Sequence, residues 1–375
     1  MTLQHSKEVI ILGGGLAGLT CALHLSQHNY NVLLIEKHKY PHHRVCGEYV
    51  SNEVLPYLQK LGIDPKANGA KQITKFEISD SQGKKITSQL PLGGFGLSRY
   101  AFDLMLYEKL GNTAEILFNT VESVNYSNNN FTIKTQERQT FTAPIVVGAF
   151  GKRSNIDTFL QRSFIQQKSP WLGVKCHYEF KFPDDTVALH NFEGGYCGLS
   201  KTETDVVNAC YLTTFKSFKK YGRIEDFQKG VMSKNPYLAE LFEKGQSVFK
   251  NPLSISQISF QKKKPVENHM FMIGDSAGLI HPLCGNGMAM AIHSAKLFSE
   301  LFIKASEKGS LNRVNLEREY TSLWTKTFSK RLHMGRVIQG MLLHPKATNM
   351  GLLVAKAFPS VVPKLIKQTH GKVLQ

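Results

Sequence analysis

The hydrophobic pattern of the first forty residues predicts a strand, a glycine turn, a helix and a second strand. The apolar runs "EVIIL" at 8–12 and "YNVLLIE" at 30–36 are typical of buried strands. Between them, "GLAGLTCALHLSQHN" places leucine and alanine at helical spacing. Together these segments predict a βαβ unit.

Further along, the pattern predicts a second sheet and then helices. Alternation with glycine and proline at 73–97 predicts a hairpin on a different sheet. "SRYAFDLMLYEKLGN" predicts a helix, and "EILFNTVESVNYS" and "APIVVGAFG" predict strands. Residues 170–262 predict strands around a helical stretch near 223–244, residues 270–304 a strand, loop and long helix, and residues 313–375 mostly helix.

Composition indicates an ordinary globular chain. Its 375 residues, 42% of them hydrophobic, suffice for one large domain or two interleaved ones. The six cysteines form no CxxC pair, so neither a disulfide framework nor a metal site is expected, and a reducing cytoplasm fits best. The sequence shows no signal-peptide layout and no apolar run long enough to span a membrane.

The net charge of +17 favours anionic partners: phosphorylated cofactors, a lipid surface or nucleic acid. Charge alone does not choose among them. No helix-turn-helix, zinc-finger spacing or aromatic RNA-binding motif is present, so we expect no nucleic-acid partner. The oligomeric state is left open.

The glycine turn carries the first chemical signal. Gly13, Gly15 and Gly18 form G-x-G-x-x-G directly after a strand and at the start of a helix. Such glycines let backbone N–H groups approach a pyrophosphate at the positive end of the helix. Glu36, at the end of the second strand, can accept hydrogen bonds from ribose hydroxyls and would repel a 2′-phosphate. The site therefore favours the adenosine of FAD or NAD over that of NADP.

A second signal is "MFMIGDSAGLIHPLCGNGMAMAIHSAKL" at 270–297. An apolar strand ends at Asp275, a loop holds Pro282, and Gly285 and Gly287 open a helix with small residues. A helix N-terminus aimed at a ring carbonyl stabilises negative charge there, and an aspartate can bind sugar-alcohol hydroxyls. A reduced flavin needs both the helix N-terminus, for its ring, and the aspartate, for its sugar-alcohol chain.

The two motifs together resemble the flavoprotein superfamily of p-hydroxybenzoate hydroxylase and the geranylgeranyl reductases, over roughly residues 8–310. The resemblance implies an α/β fold: a Rossmann-type FAD-binding domain (1–72, 98–165 and 265–310) interleaved with a mainly β substrate-binding lobe (73–97 and 166–264), and a helical C-terminal segment (311–375). It implies FAD as cofactor and NADH or NADPH as electron donor. The residues that would bind the cofactor are Gly13, Gly15, Leu16, Ala17, Gly18, Glu36, Lys37, Arg44, Arg99, Asp275, Pro282, Gly285, Asn286, Gly287 and Met288.

The loop "RVCGE" at 44–48 resembles the reductase version of this family more than the hydroxylase version. In the family, the arginine matching Arg44 lies near the FAD phosphates. Cys46 is a candidate catalytic residue that donates a proton, or a residue that only shapes the pocket. Arg99, in "SRYAFD", either reaches the cofactor or lies on the surface at a helix start.

Two departures from the family pattern affect what the resemblance implies. Phe150 stands where the second fingerprint, Ala-Asp-Gly before a serine, has its aspartate, which puts conventional NAD(P)H docking in doubt. Lys152 and Arg153 could still meet phosphates. The reductases' aromatic signature is also absent, and "GGYCGLS" at 194–200 lies about where it would be. Tyr196 in this segment is a second candidate catalytic residue that lines the pocket, or an ordinary strand residue.

Three functions remain open. The first is a flavin-dependent monooxygenase acting on a lipophilic aromatic or polyketide-like substrate, which is slightly favoured because the reductases' aromatic signature is missing. The second is an ene-reductase acting on prenyl chains, and the third is a membrane-associated flavoprotein partner without turnover of its own. Residues 350–368 mix apolar residues with lysines, so this segment either packs on the protein or lies at an anionic membrane. We expect a cytoplasmic protein, peripheral on the inner face of the membrane if that contact exists.

Overall fold

The computed structural model describes residues 5–309 and 311–375. The predicted domain boundaries at 1 and 310 lie outside these residues. The strands are β1 His5–Ser6, β2 Val9–Leu12, β3 Val32–Glu36, β4 Tyr49–Ser51, β5 Lys71–Ser79, β6 Lys85–Gly96, β7 Glu115–Phe118, β8 Val121–Ser127, β9 Asn130–Thr135, β10 Thr140–Ala143, β11 Ile145–Gly148, β12 Trp171–Glu179, β13 Thr186–Phe192, β14 Gly195–Lys201, β15 Val207–Thr214, β16 Gln246–Ser247, β17 Leu253–Ser256, β18 Val266–Glu267 and β19 Met270–Met272.

The α-helices pack around these strands. They are α1 Leu16–Gln27, α2 Leu55–Lys60, α3 Arg99–Leu110, α4 Asn155–Phe159, α5 Phe215–Phe218, α6 Ile224–Gly230, α7 Pro236–Lys244, α8 Gly287–Ser306, α9 Arg313–Leu342, α10 Pro345–Ala357 and α11 Val361–Thr369. The predicted βαβ unit, the 73–97 hairpin and the helical C-terminal segment are confirmed. None of the helices in the described part of the chain is long and apolar enough to cross a membrane.

The first sheet has the order β18-β19-β11-β2-β3-β7, and its central strands are parallel. Strands β2, β3 and β11 are completely buried, as their continuous apolar runs predict for a parallel sheet covered on both faces. Helices α1, α3 and α8 contribute buried side chains to the same core. A four-stranded sheet, β1-β10-β9-β8, lies beside it.

The largest sheet has the order β16-β12-β15-β14-β13-β5-β6-β4, and β17 pairs with β12. It includes the predicted hairpin, β5 and β6, and also β4, which comes from the stretch that the sequence assigns to the FAD-binding domain. One face packs against α6 and α7 through a core that includes Tyr178, Phe192, Phe227, Leu238 and Leu241. The other face is free to form the wall of a cavity.

The end of the chain is bound back onto the body of the protein. The buried carboxylate of Glu53 accepts hydrogen bonds from Arg331 Nη1 of α9 at 3.0 Å and from Gly371 N at 2.6 Å. The Glu53 carbonyl accepts a further bond from Leu374 N at 2.7 Å. Because Asn286 Nδ2 also donates to Glu53, at 3.1 Å, the tail is connected to the loop that opens α8.

We predict that Glu53→Ala lowers the free energy of unfolding by about 3–5 kcal/mol, because it leaves the Arg331 guanidinium buried without a counter-charge. Urea denaturation followed by circular dichroism measures this change. The matched control is Glu240→Ala, which removes an exposed pair with Lys244 and should cost less than about 0.5 kcal/mol. Equal losses in the two variants would contradict the structural role of Glu53.

Candidate functional site

A cavity of about 1200 Å³ runs from the first sheet to the C-terminal helices. One end lies beside the glycine turn after β2 and the end of β3, where parallel sheets commonly bind nucleotides. The other end lies between the large sheet and α9, α10 and α11. A single cavity therefore joins the predicted cofactor site to the free face of the large sheet.

The glycine turn forms an open cradle at the first end. Gly13 has a φ of +106°, and a Cβ there would lie 2.6 Å from the carbonyl oxygen of Ala149. A Cβ on Gly15 would meet only Arg99 Nη2, at 3.6 Å, so this glycine faces the cavity. The packing of β11 thus requires glycine at 13, while the space beside Gly15 is available to a ligand.

Glu36 lies at the cradle in a defined orientation. Its Oε2 accepts a hydrogen bond from Gly14 N at 2.6 Å, and its Oε1 accepts one from His38 N at 3.1 Å. Burial opposes ionisation, but the Arg44 guanidinium and these two N–H groups outweigh it and hold the pKa of Glu36 below its usual value. An ionised carboxylate at this strand end can accept ribose hydroxyls.

Two arginines meet at one buried carboxylate beside the cradle. Arg99 forms a bidentate pair with Asp103, at 2.9 and 2.7 Å, and Arg44 Nε donates to the same carboxylate at 3.2 Å. The Arg99 side chain is only 13% exposed, so its alternative placement on the surface is wrong. Sequence reasoning missed Asp103, although its i,i+4 spacing from Arg99 on a predicted helix was a usable signal.

The RVCGE loop is held by side chains that donate to four successive carbonyl oxygens. Lys175 donates to Arg44 O at 3.3 Å and Lys152 to Val45 O at 3.1 Å. Asn208 donates to Cys46 O at 3.2 Å, and Ser200 donates to Gly47 O at 3.4 Å. Because three of the four donors belong to the large sheet, the loop that contains Cys46 is fixed on that sheet at the cavity. The Lys152 ammonium uses one of its three N–H groups for this loop, and it also lines the cavity.

Glu48, at the end of the loop, lies in a buried network. Its Oε1 accepts Arg99 N at 2.7 Å and Lys175 Nζ at 2.5 Å, and its Oε2 lies 2.7 Å from His177 Nε2. Burial opposes ionisation, but the hydrogen bond to His177 and the Lys175 ammonium hold the pKa of Glu48 below its usual value. His43, Glu48 and His177 are close enough to share a metal ion. However, the ammonium already neutralises the carboxylate, so the network is explained as an ion pair.

The second motif begins beside the cradle, where Gly274 packs against Ala17 of α1. Asp275 lines the cavity in a short 3₁₀ helix, Gly274–Ser276. Ser276 Oγ accepts a hydrogen bond from Gly151 N at 2.9 Å, which joins this turn to the loop after β11. Phe150 also lines the cavity. The hydrogen bond from Gly151 to Ser276 thus connects the loop after β11 to the turn that holds Asp275. In the family fingerprint, the first of these loops has an aspartate at the position of Phe150.

The loop before α8 places a helix N-terminus at the middle of the cavity. Pro282–Cys284 form a 3₁₀ turn, Gly285 has a φ of +60°, and α8 begins at Gly287. The Asn286 side chain is bonded to Glu53 and Arg331, so it orients the loop from behind. The first N–H groups of a helix lack partners within the helix and can bind an anion or a polarised carbonyl.

Tyr196 lies directly against this loop. Its hydroxyl oxygen accepts a hydrogen bond from Leu283 N at 3.1 Å, and its side chain is buried at the cavity wall. Burial raises the pKa of Tyr196 well above its usual value, so the phenol is neutral and keeps its own proton. Tyr196 is therefore a pocket residue that can donate a hydrogen bond.

Apolar side chains line the far part of the cavity, which we call the chamber. One wall is the free face of the large sheet, and the opposite wall is made by the C-terminal helices. The sheet contributes Phe76, Ile78, Ile86, Leu90, Leu189 and Leu212, and the helices contribute Ile338, Leu342, Leu352, Ala355, Val362 and Ile366. The polar side chains that line this part include Thr348 and Thr369 of the helices and His370, which follows α11. The chamber thus suits an uncharged, lipophilic molecule.

The structure brings the candidate residues of both motifs to this one cavity. Those that line it are Gly13, Gly15, Leu16, Ala17, Glu36, Lys37, Arg44, Cys46, Arg99, Tyr196, Asp275, Pro282, Gly285, Gly287 and Met288. Gly18 and Asn286 lie behind it: Gly18 lets α1 approach Gly13, and Asn286 braces the α8 loop. Of the aromatic residues between 171 and 211, Tyr178 and Phe192 pack in the core on the other face of the sheet.

Comparison with known proteins identifies this arrangement. The family model described as an FAD-binding domain matches residues 6–314. The digeranylgeranylglycerophospholipid reductase of Methanococcus vannielii is 22% identical over 88% of this chain and 84% of its own. Conditioned medium factor receptor 1 of Dictyostelium discoideum is 21% identical over 87% of this chain and 69% of its own.

Solved structures share the whole fold at low sequence identity. The flavin-dependent brominase Bmp2 has a TM-score of 0.78 at 17% identity and covers 97% of this chain and 93% of its own. PqsL of Pseudomonas aeruginosa, described as a probable FAD-dependent monooxygenase, has a TM-score of 0.74 at 13% identity over 92% and 98%. A geranylgeranyl bacteriochlorophyll reductase-like protein of Thermoplasma acidophilum has 0.72 at 18% over 96% and 99%. The predicted fold class and superfamily are confirmed.

We predict that Gly15→Val weakens FAD binding by roughly tenfold to a hundredfold, because the branched side chain would project into the open cradle. The flavin-to-protein absorbance ratio and a titration of the apoprotein with FAD measure this effect. Gly340→Val is the matched control, since Gly340 is an exposed helical glycine with no atom within 4 Å of an added Cβ. Full FAD occupancy in Gly15→Val would show that the cradle does not bind the cofactor.

Proposed function

Because the chain belongs to the FAD-binding domain family and is a flavin-dependent oxidoreductase, we propose that it is a monooxygenase that hydroxylates a lipophilic aromatic or polyketide-like substrate. The observation that supports this proposal is the apolar chamber, which is continuous with the cofactor site. Hydroxylation of an electron-rich ring needs a dry pocket next to the flavin. It needs no strong acid on the substrate side.

The cavity fits FAD because its polar groups follow the order of the cofactor's parts. We assign the ribose of the adenosine to Glu36 and Lys37, and the pyrophosphate to the Gly13–Gly15 turn, Arg44 and Arg99. In the second motif, Asp275 would bind the ribityl hydroxyls, while the N–H groups at Gly287 and Met288 would face the ring. When bound, FAD supplies reducing equivalents and activates oxygen.

The residues of the chamber would position the substrate and exclude water. The neutral hydroxyl of Tyr196 can donate a hydrogen bond to a phenol or carbonyl oxygen of a substrate at the mouth of the chamber. The apolar walls would bind the remainder by the hydrophobic effect. The expected substrate therefore has one polar, oxygen-bearing end and a larger apolar part.

A second candidate is an ene-reductase that acts on prenyl chains. The RVCGE loop and the similarity to digeranylgeranylglycerophospholipid reductases favour it. In this reaction Cys46, which lines the cavity, would donate the proton that completes addition of a hydride to an alkene. A third role, as a membrane-associated flavoprotein without turnover of its own, predicts no reaction with either class of substrate.

NADH or NADPH is proposed as the electron donor. Phe150 in place of the family aspartate removes one polar contact at the loop after β11, and Lys152 is engaged with Val45 O. Arg153, which is exposed at the rim of the cavity, is the more accessible of the two basic residues of this loop that could meet a phosphate. Arg153→Ala should therefore raise the KM of the donor without changing FAD content.

We predict an oxygen-dependent transient absorbance when the anaerobically reduced protein is mixed with O₂ in a stopped-flow spectrometer. A long-chain phenol should change the decay of this transient and appear as a hydroxylated product by mass spectrometry. Chemical reduction makes the test independent of the natural donor. If O₂ returns the oxidised spectrum in one phase, and a prenyl substrate reoxidises the flavin without O₂, the enzyme is a reductase.

Cys46→Ser separates the two reactions. We predict that it leaves phenol hydroxylation unchanged, whereas a reductase would lose prenyl-dependent reoxidation by about 10²–10⁴-fold. The control is Cys210→Ser, another cysteine that lines the cavity. Turnover and flavin content are measured together, so loss of cofactor is not mistaken for loss of a proton donor. A comparable loss of hydroxylation in Cys46→Ser would contradict a packing role for the thiol.

A further inference from the structure

We propose that α10 and α11 dock the protein on an anionic lipid surface and admit substrate from that surface into the chamber. The docking face consists of the outward side chains of Met350, Leu353 and Val354 in α10 and of Phe358, the residue that follows the helix. Three of them are mostly exposed: Met350 at 66%, Leu353 at 69% and Phe358 at 63%. The docking follows from the surface itself, while the entry of substrate rests on the proposed function.

Helix α10 is apolar on two sides. Ala347, Gly351, Leu352 and Ala355 line the chamber, so the inner side already has its packing partner. The docking face lies on a different side: Met350, Leu353 and Val354 have the i, i+3 and i+4 spacing of one helix face, and Phe358 follows the last turn. Asn349 and Lys356 give the helix a polar, exposed strip as well, but the apolar side chains of the docking face are left in water, where a cluster of this kind marks an interaction surface.

The charge around the docking face identifies the environment as an anionic one. The sequence contains no aspartate or glutamate between residues 320 and 375, but it contains nine lysines and arginines there. Lys356, Lys364 and Lys367 are exposed on or beside the docking helices. Apolar side chains flanked by lysines are the pattern of segments that lie in the interface of an anionic membrane.

The chamber opens at the same place. Met341, at the end of α9, and Leu365, in α11, both line the cavity and are also 43% and 39% exposed. These two side chains therefore form an apolar rim beside the docking face. A lipophilic molecule could pass from the bilayer to the chamber there without crossing water, which would otherwise oppose its release from the lipid.

A lipid surface explains these features better than a second copy of this chain. Two copies would bring two acid-free, lysine-bearing faces together, and like charges at an interface oppose association. Anionic head groups instead neutralise the lysines, while the acyl region accepts the apolar side chains. No membrane-spanning helix is present in the described residues, so the contact would be peripheral.

The test is co-sedimentation of the FAD-loaded protein with phosphatidylcholine vesicles that contain or lack about 30 mol% phosphatidylglycerol. This anionic lipid gives the vesicles a strong negative surface charge. We expect binding to the anionic vesicles only. Lys356→Gln/Lys364→Gln/Lys367→Gln should weaken it roughly a hundredfold, and Leu353→Ser/Phe358→Ser should reduce it at least about tenfold. The matched control is Val314→Ser, which is 73% exposed but lies about 40 Å away along α9 and should bind normally.

Insertion is checked directly with Phe358→Trp. Its fluorescence should be quenched by brominated lipids, whereas the wild type, with only Trp324, which is buried, and Trp171, which is half-buried in the large sheet, should show no quenching. Equal binding of wild type and Leu353→Ser/Phe358→Ser, or no quenching at position 358, would overturn the proposal. So would a concentration-dependent dimer in analytical ultracentrifugation that the same double variant abolishes. Flavin content and turnover of a detergent-dispersed substrate are measured in the wild type and in each variant; absence of turnover in the wild type would count against the proposed function, not against docking.

Discussion

The buried carboxylate of Glu48 joins helix α3, which packs on the first sheet, to strand β12 of the large sheet. It accepts a backbone N–H from the start of α3, on the cofactor side, and it pairs with Lys175 and His177 of β12, on the substrate side. A buried charge of this kind is tolerated only when its partners are fixed, since removing one of them leaves another charge uncompensated. The network therefore stabilises one orientation of the RVCGE loop and, with it, the position of Cys46 between cofactor site and chamber.

Only part of the candidate site could be predicted from the sequence. The glycine turn, Glu36 and the second motif are predictable because the chemistry depends on short spacings and on the elements that flank them. Asp103 was also within reach, four residues after Arg99. By contrast, Glu48 and Lys175 are 127 residues apart and Glu53 and Arg331 are 278 apart. Nothing local marks either pair, because their contacts exist only once the sheets and the C-terminal helix have packed together.

The role of the C-terminal segment was also only partly predictable. Its composition left two alternatives, packing on the protein or lying at a membrane. In the structure α10 packs on the protein with its inner side and has an exposed apolar surface on its outer side. The helical period of apolar residues predicts one apolar face that packs on one partner. It does not predict a helix such as α10, which separates the chamber from solvent and has apolar residues towards both.

The distribution of polar groups along the cavity determines how a substrate would be oriented. The polar groups of the cavity are concentrated at the cofactor end, where Glu36, Arg44, Arg99 and Asp275 lie, and the chamber end is almost entirely apolar. A molecule with one oxygen-bearing end would therefore orient itself, since polar groups are denser near Tyr196 and the α8 loop than along the apolar walls of the chamber. If the substrate enters through the rim at Met341 and Leu365 with its polar end first, its apolar part would lie between the large sheet and the C-terminal helices. The position of the opening and the gradient of polarity thus favour the same end of the substrate for reaction, whichever of the two flavin reactions takes place.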